Sequence, residues 1–156
     1  MEQSRDYIRW LRSKVGHEKV ILVFAGGCMF NERGEVLLQR RGDSYKWGFP
    51  GGAIALGETP ELTAVREAKE ETGLDVQSLV FKGISHYTNP ELHDHFIIYN
   101  YWTDHFTGEV LGSCNEGKLE WVKISEARNY PMQEDIQVRF DLFFEPGTFE
   151  IHTMWD

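Results

Sequence analysis

The sequence predicts an α/β fold in which one mixed β-sheet is covered by helices on both sides. Three observations predict it. Segments rich in Val, Ile, Tyr and Phe alternate along the chain with amphipathic segments. One central helix carries clear start and stop signals. The chain has 156 residues, 41% of them hydrophobic, which suits one domain over residues 1–156 with an apolar core.

The elements follow in order. Residues 4–15 place Tyr7, Ile8, Leu11 and Val15 on one stripe, and Gly16 would end that helix. Val20 to Asn31 reads as a buried strand, Glu32-Arg33-Gly34 as a turn, and Glu35 to Arg41 as a second strand, so the pair is expected to form a hairpin. Trp47 to Pro50 is a short extended piece. Thr59 is a good N-cap, Pro60 suits the first helical position, Glu61 favours a helix N-terminus, and Gly73 suits the residue after the last turn. A helix over about Pro60 to Thr72 is therefore expected. Val76–Tyr87 and His95–Phe106 read as strands joined by a polar loop, Thr88–Asp94. Leu119–Lys123 is a short strand. Ser125–Asn129 and Glu134–Phe144 read as helices.

Lys and Arg number 16 against 25 Asp and Glu, a net charge of −9. That balance argues against bulk nucleic acid and anionic membrane as partners. Cys28 and Cys114 are the only cysteines, and their spacing does not resemble a zinc site. The opening Met-Glu-Gln-Ser-Arg-Asp lacks a signal-peptide shape, and the longest apolar run, Val20 to Phe30, is too short to span a bilayer. A cytoplasmic protein is expected. The N-terminal helix is expected to pack on the domain, with a homodimer contact as the alternative.

Residues 52–74 carry the chemistry. On a helix, Leu62, Val65, Ala68 and Thr72 share an arc of about 120°, which predicts the core face. Glu67, Glu70 and Glu71 fall within about 100° of one another on the opposite side. Three like charges at that spacing repel, and carboxylate oxygens suit a hard divalent cation such as Mg²⁺ or Mn²⁺. A solvated acidic face is the alternative. The preceding Trp-Gly-Phe-Pro-Gly-Gly, residues 47–52, lets backbone approach whatever binds there.

This stretch resembles the signature of the Nudix (MutT-like) hydrolases. Gly52, Glu58, Arg66, Glu67, Glu70, Glu71 and Gly73 match its fixed positions without a gap, and Ala68 is a small variant of the usual aliphatic residue. The resemblance implies a Nudix-type three-layer α/β/α sandwich with a mixed β-sheet, and metal-dependent hydrolysis of a diphosphate bond in a nucleoside diphosphate linked to another moiety. It implies Glu67, Glu70 and Glu71 as metal ligands, with the Gly52 carbonyl as a further ligand. Arg66 would orient a motif glutamate, and Glu58 would brace the loop through backbone N–H groups. The catalytic base lies either in the motif, at Glu67 or Glu70, or on a later loop, where Glu116 stands and Glu120 is its neighbour. Arg40, Arg41 and Glu58 are the candidates on the substrate side. Trp47, Tyr99, Tyr101 and Trp102 read as core more than as base-stacking residues. No cysteine accompanies His93 and His95, so the histidines are not read as a zinc site.

The substrate stays open at this point. A nucleoside triphosphate, giving monophosphate and pyrophosphate, suits a small MutT-like chain, although Glu134 follows Tyr130-Pro131-Met132-Gln133 where MutT has a base-reading asparagine after Phe-Pro. ADP-ribose or a nucleotide sugar is the alternative, since Pro90 stands where ADP-ribose enzymes of the family carry a proline. RNA 5′-end pyrophosphate removal finds no basic track here. A non-catalytic Nudix-fold binding module is a third reading, and such modules typically lose motif glutamates that this chain keeps.

Overall fold

The computed structural model describes residues 2–42, 44–91, 94–114 and 117–154. Helix α1 spans Glu2–Val15, and strands β1 (Leu22–Met29), β2 (Glu35–Arg41), β3 (Trp47–Gly48) and β4 (Gly51–Ala53) follow. Helix α2 spans Pro60–Thr72, as its capping residues predict. Then come β5 (Asp75–Val76), β6 (Val80–Asn89), β7 (Asp94–Thr103), β8 (Phe106–Thr107), β9 (Ser113–Cys114) and β10 (Gly117–Lys123). Short helices α3 (Ile124–Ala127) and α4 (Glu134–Arg139) lead into a 3₁₀ turn, Phe140–Phe144, and a last strand, β11 (Phe149–Met154).

The strands form two main sheets where one was expected. The first is mixed, in the order β11-β6-β7-β1-β4, with β1/β7 and β11/β6 parallel. The second is antiparallel, in the order β3-β2-β10-β9, and a small β5-β8 pair stands apart. The expected β1–β2 hairpin does not form a ladder; a single bridge, Phe30 to Val36, joins them before they diverge into different sheets. Gly26 and Gly27 give the local reason. A side chain at Gly26 would collide with the Pro50 carbonyl and one at Gly27 with the Tyr101 carbonyl, so β1 is flanked closely by β4 and β7 instead.

Strand β2 is buried on both faces. Val36 and Leu38 join a cluster with Trp47, Val122, Ile136, Phe140 and Phe143. Leu37 points the other way, into a cluster with Met29, Ala68, Leu74 and Leu119 that includes α2. Helix α2 therefore covers one side of the strands, and α3, α4 and the 3₁₀ turn cover the other. This is a mixed α+β architecture with three layers. Truncating a buried leucine such as Leu37 to alanine costs about 2–5 kcal/mol.

Helix α2 is rotated relative to the expectation. Leu62 is 58% exposed, whereas Glu67 and Glu71 are 0% and 2% exposed. Thr63, Ala64, Ala68 and Thr72 complete the buried face. Sequence periodicity assigns glutamate to the outside; here Glu67 and Glu71 turn inward toward waiting partners, while Glu70 stays exposed. The C-terminal strand β11 was not foreseen. It lies beside β6 where a bulge follows Phe81, and Gly83 at that bulge passes so close to the Phe149 carbonyl that no side chain fits. Among the described residues no helix is long and apolar enough to cross a membrane.

Candidate active site

The loop from Pro50 to Thr59 turns the chain from β4 into α2. Thr59 Oγ1 accepts the Leu62 N–H at 3.2 Å, and Gly73 closes the helix in the left-handed conformation, its N–H donating to the Lys69 carbonyl. These caps fix where each side chain of the motif points.

Glu58 accepts the Ala55 N–H at 3.1 Å and the Thr63 hydroxyl at 3.1 Å, and so braces the loop. Arg66 meets both oxygens of Glu58, Nε at 2.7 Å and Nη2 at 2.8 Å. Its Nη1 donates to Glu67 at 2.9 Å and to Glu70 at 3.2 Å. Hydrogen bonding to Arg66 holds the Glu58 carboxyl below its ordinary range, and the same bonds push the Arg66 guanidinium up. The fork ties one guanidinium to three carboxylates, those of Glu58, Glu67 and Glu70.

Glu67 Oε1 also accepts the Ser4 hydroxyl at 2.6 Å, and Glu71 Oε2 accepts the Gly51 N–H at 2.9 Å. A Cβ at Gly52 would collide with the Glu67 carboxylate, so only glycine leaves room for that side chain against the backbone. The donors match a hard cation in kind: carboxylate oxygens beside a glycine backbone. Glu67, Glu70 and Glu71 share one side of α2, yet among the described residues no three His, Cys, Asp or Glu side chains converge into a ready cage.

Gly51 and Gly52 also line a cavity of about 790 Å³. Glu67 and Glu71 lie against these two glycines, and none of the motif glutamates lines the cavity. Arg41, Ser44, Lys46 and Glu134 line it, and its wall carries Phe24, Phe96 and Tyr87. Phe24 meets Phe96 edge-on at 5.0 Å, and Tyr87 stacks on Phe96 at 5.8 Å. Asn100, Asp135 and Arg139 add polarity to this apolar pocket. Arg139 is 6% exposed. It donates to Asn100 Oδ1 and, at 2.9 Å, to Asp135, while its Nε lacks a partner among the described residues. Burial pushes the Arg139 guanidinium down, against the pull of Asp135.

The other candidate residues fall in several places. Arg41 lines the cavity. Arg40 lies over the Tyr45 and Trp47 rings, with centroids at 5.6 and 5.9 Å, and does not line it. Glu58 serves the loop and is likewise absent from the cavity wall. Glu120 accepts the Tyr130 hydroxyl at 2.9 Å. Glu116 and His93 lie outside the described residues. Trp47 and Tyr101 are buried in the core. Sequence reading missed Ser4, Asn100 and Arg139. The i,i+4 pairing of Asp135 with Arg139 and the placing of Ser4 four residues before Ile8 were the signals available.

Comparison with known proteins agrees with this geometry. The family model described as the NUDIX domain matches residues 22–142. The 8-oxo-dGTP diphosphatase of Escherichia coli (strain K12) is 34% identical over 108 residues, covering 66% of this chain and 81% of that protein. An uncharacterized Nudix hydrolase, YvcI, of Bacillus subtilis (strain 168) is 28% identical over 109 residues, covering 67% of this chain and 68% of its own length. The crystal structure of the MutT protein from Bacillus halodurans superposes with a TM-score of 0.77 at 25% identity, over 85% of this chain and 90% of that one. With the motif intact on its capped helix and most of the chain matched, this protein belongs to the Nudix family and is a hydrolase of phosphoric anhydride bonds.

Proposed function

We propose that this chain hydrolyses a nucleoside triphosphate to the monophosphate and pyrophosphate with the help of Mg²⁺ or Mn²⁺. One observation carries the reading. Two buried glutamates, Glu67 and Glu71, lie against the Gly51–Gly52 segment, which borders a cavity lined by Arg41, Lys46 and several aromatic rings. Its volume falls within the range of small-ligand pockets, roughly 300–1,000 Å³. The relative named for 8-oxo-dGTP supports a nucleotide of this kind.

Glu67, Glu70 and Glu71, with the Gly52 carbonyl, would hold the metal ion. Once bound, such an ion offsets phosphoryl charge and makes water a better nucleophile. The remaining work belongs to the chain. Arg41 and Lys46 attract the phosphates, and Phe24, Phe96 and Tyr87 give the base an aromatic wall. Arg66 fixes the orientation of Glu67 and Glu70. Water adds to one phosphorus, the bridging P–O bond breaks, and a glutamate takes the water proton. Glu70, whose side chain is partly exposed, and Glu116 are the two bases in competition; Glu120 is engaged by Tyr130.

Pro90, the residue behind the ADP-ribose alternative, borders a separate small pocket with Lys19, Ile21 and His95. The main cavity contains none of it, so the triphosphate reading is preferred. The net charge of −9 makes a long polyanion such as RNA a poorer fit than a single nucleotide.

The test is a nucleotide panel with Mg²⁺ and with Mn²⁺, products identified. Pyrophosphate and monophosphate from a triphosphate are expected. Cleavage of ADP-ribose alone would replace the substrate, and silence across the panel would favour a binding module. On the best substrate, Glu70→Gln and Glu116→Gln separate the bases. A loss of about 10²–10⁴-fold in kcat is expected for the base, and under tenfold for the other.

A further inference from the structure

We infer that Ser4, on the N-terminal helix, is a positioning residue for Glu67 and thereby for the bound cation. The inference rests on the reading of Glu67 as a cation ligand. Helix α1 precedes the residues that match the family, 22–142, so the family signature itself does not call for a residue here. This chain nevertheless sends one polar side chain from α1 into the motif.

Ser4 is 2% exposed. Its Oγ lies 2.6 Å from Glu67 Oε1 and 2.5 Å from the Ala53 carbonyl, and it accepts Arg66 Nη2 at 2.9 Å. A hydroxyl carries one proton, so it can serve only one of those two acceptors at a time. An ionised carboxylate is the stronger acceptor. Glu67 Oε1 is then held from two directions, by Ser4 and by Arg66 Nη1. The terminal torsion of a glutamate is intrinsically broad, and two donors on one oxygen stop it. Oε2 takes no part in those bonds. The Ala53 carbonyl is a second acceptor for the same proton, so the hydroxyl keeps a partner if Glu67 shifts on taking up a cation.

A purely structural serine would do less. It would dock α1 on β4 and leave the carboxylate to Arg66. The two roles separate in a Mn²⁺ titration of the nucleotide-free protein, followed by the electron paramagnetic resonance of free Mn²⁺. Ser4→Ala is expected to weaken Mn²⁺ binding about tenfold, the scale seen when a residue supporting a metal ligand is lost. Ser4→Cys keeps the volume with a weaker donor and should fall between Ser4→Ala and the wild type. Leu11→Ala trims the half-buried stripe of α1 away from Glu67. It should lower the melting temperature and keep Mn²⁺ affinity within about twofold.

Wild-type affinity in Ser4→Ala, or an equal loss in Leu11→Ala, overturns the positioning role while the proposed function stands. Absence of Mn²⁺ binding in the wild type overturns both. Should Ser4→Ala fail to fold, Ser4→Cys decides: weaker Mn²⁺ binding supports the role, and unchanged binding overturns it.

Discussion

The motif loop and helix, and the cavity floor around Arg139, both bury charge, and they do so in opposite ways. At the motif one guanidinium serves Glu58, Glu67 and Glu70 together, and each charge strengthens the next: Glu58 is pushed down and Arg66 up. At the floor one guanidinium is sunk among apolar side chains with Asp135 as its ion partner, and burial pushes it down. The first region stabilises its ionic form by mutual pairing. The second tolerates an ion at a cost, and a buried ion held that way is sensitive to the loss of its partner.

The largest expected effect tests the chemistry of the first region. Glu71→Gln preserves the shape and an acceptor for the Gly51 N–H, while removing the charge. Metal-dependent turnover should fall about 10³-fold, with the circular dichroism spectrum and melting temperature retained. Near-normal turnover would remove Glu71 from the proposed ligand set.

The next effect breaks the second region. Arg139→Leu strands the buried Asn100 oxygen and leaves the half-buried Asp135 unpaired, and should cost about 1–3 kcal/mol in urea denaturation. The pair Asp135→Leu with Arg139→Met should recover more than half of that loss, since apolar replacement of both partners is often neutral. No recovery would mean that the floor is a paired network like the motif, and the contrast would disappear.

The smallest effect sharpens the contrast through pH. The folded Glu58 carboxyl lies below its ordinary value of 4.5, because Arg66 donates to its charged form. Its contribution is complete above that ordinary value and is lost as pH falls through the folded value. Thermal melts from about pH 6 to about pH 2.5 should therefore show an acid decline that is shallower in Glu58→Gln than in the wild type. Equal slopes would assign the decline to other carboxylates.

The same contrast explains what could be read from the sequence. The motif is local: Thr59, Pro60 and Gly73 marked the ends of α2, and spacing put three glutamates on one side of it. The inward rotation of that side was not legible, because the Gly51 N–H and the Ser4 hydroxyl that receive Glu71 and Glu67 come from outside the helix. The cavity draws on α1, β1, β2, β4, β6, β7 and α4, and residue periodicity does not say which strands pair. The parallel pairing of β1 with β7 and the splitting of β1 from β2 were lost for that reason. Placement of Arg40 and Arg41 on opposite business, one over aromatic rings and one in the cavity, follows from strand alternation, whose sense the sequence left open.

The bulge at Gly83 gives the end of the chain a task at a distance. Its carbonyl receives Asn100 Nδ2 at 3.2 Å, while Lys82 beside it grips the carbonyls of Glu145 and Gly147 at 2.6 and 2.9 Å. The segment from Glu145 is thus a clasp fastened one residue from the Gly83 carbonyl, which holds the amide that steadies Arg139. A chain cut short before Phe149 would keep every motif glutamate and leave β6, which carries Tyr87 of the cavity wall, without its parallel neighbour.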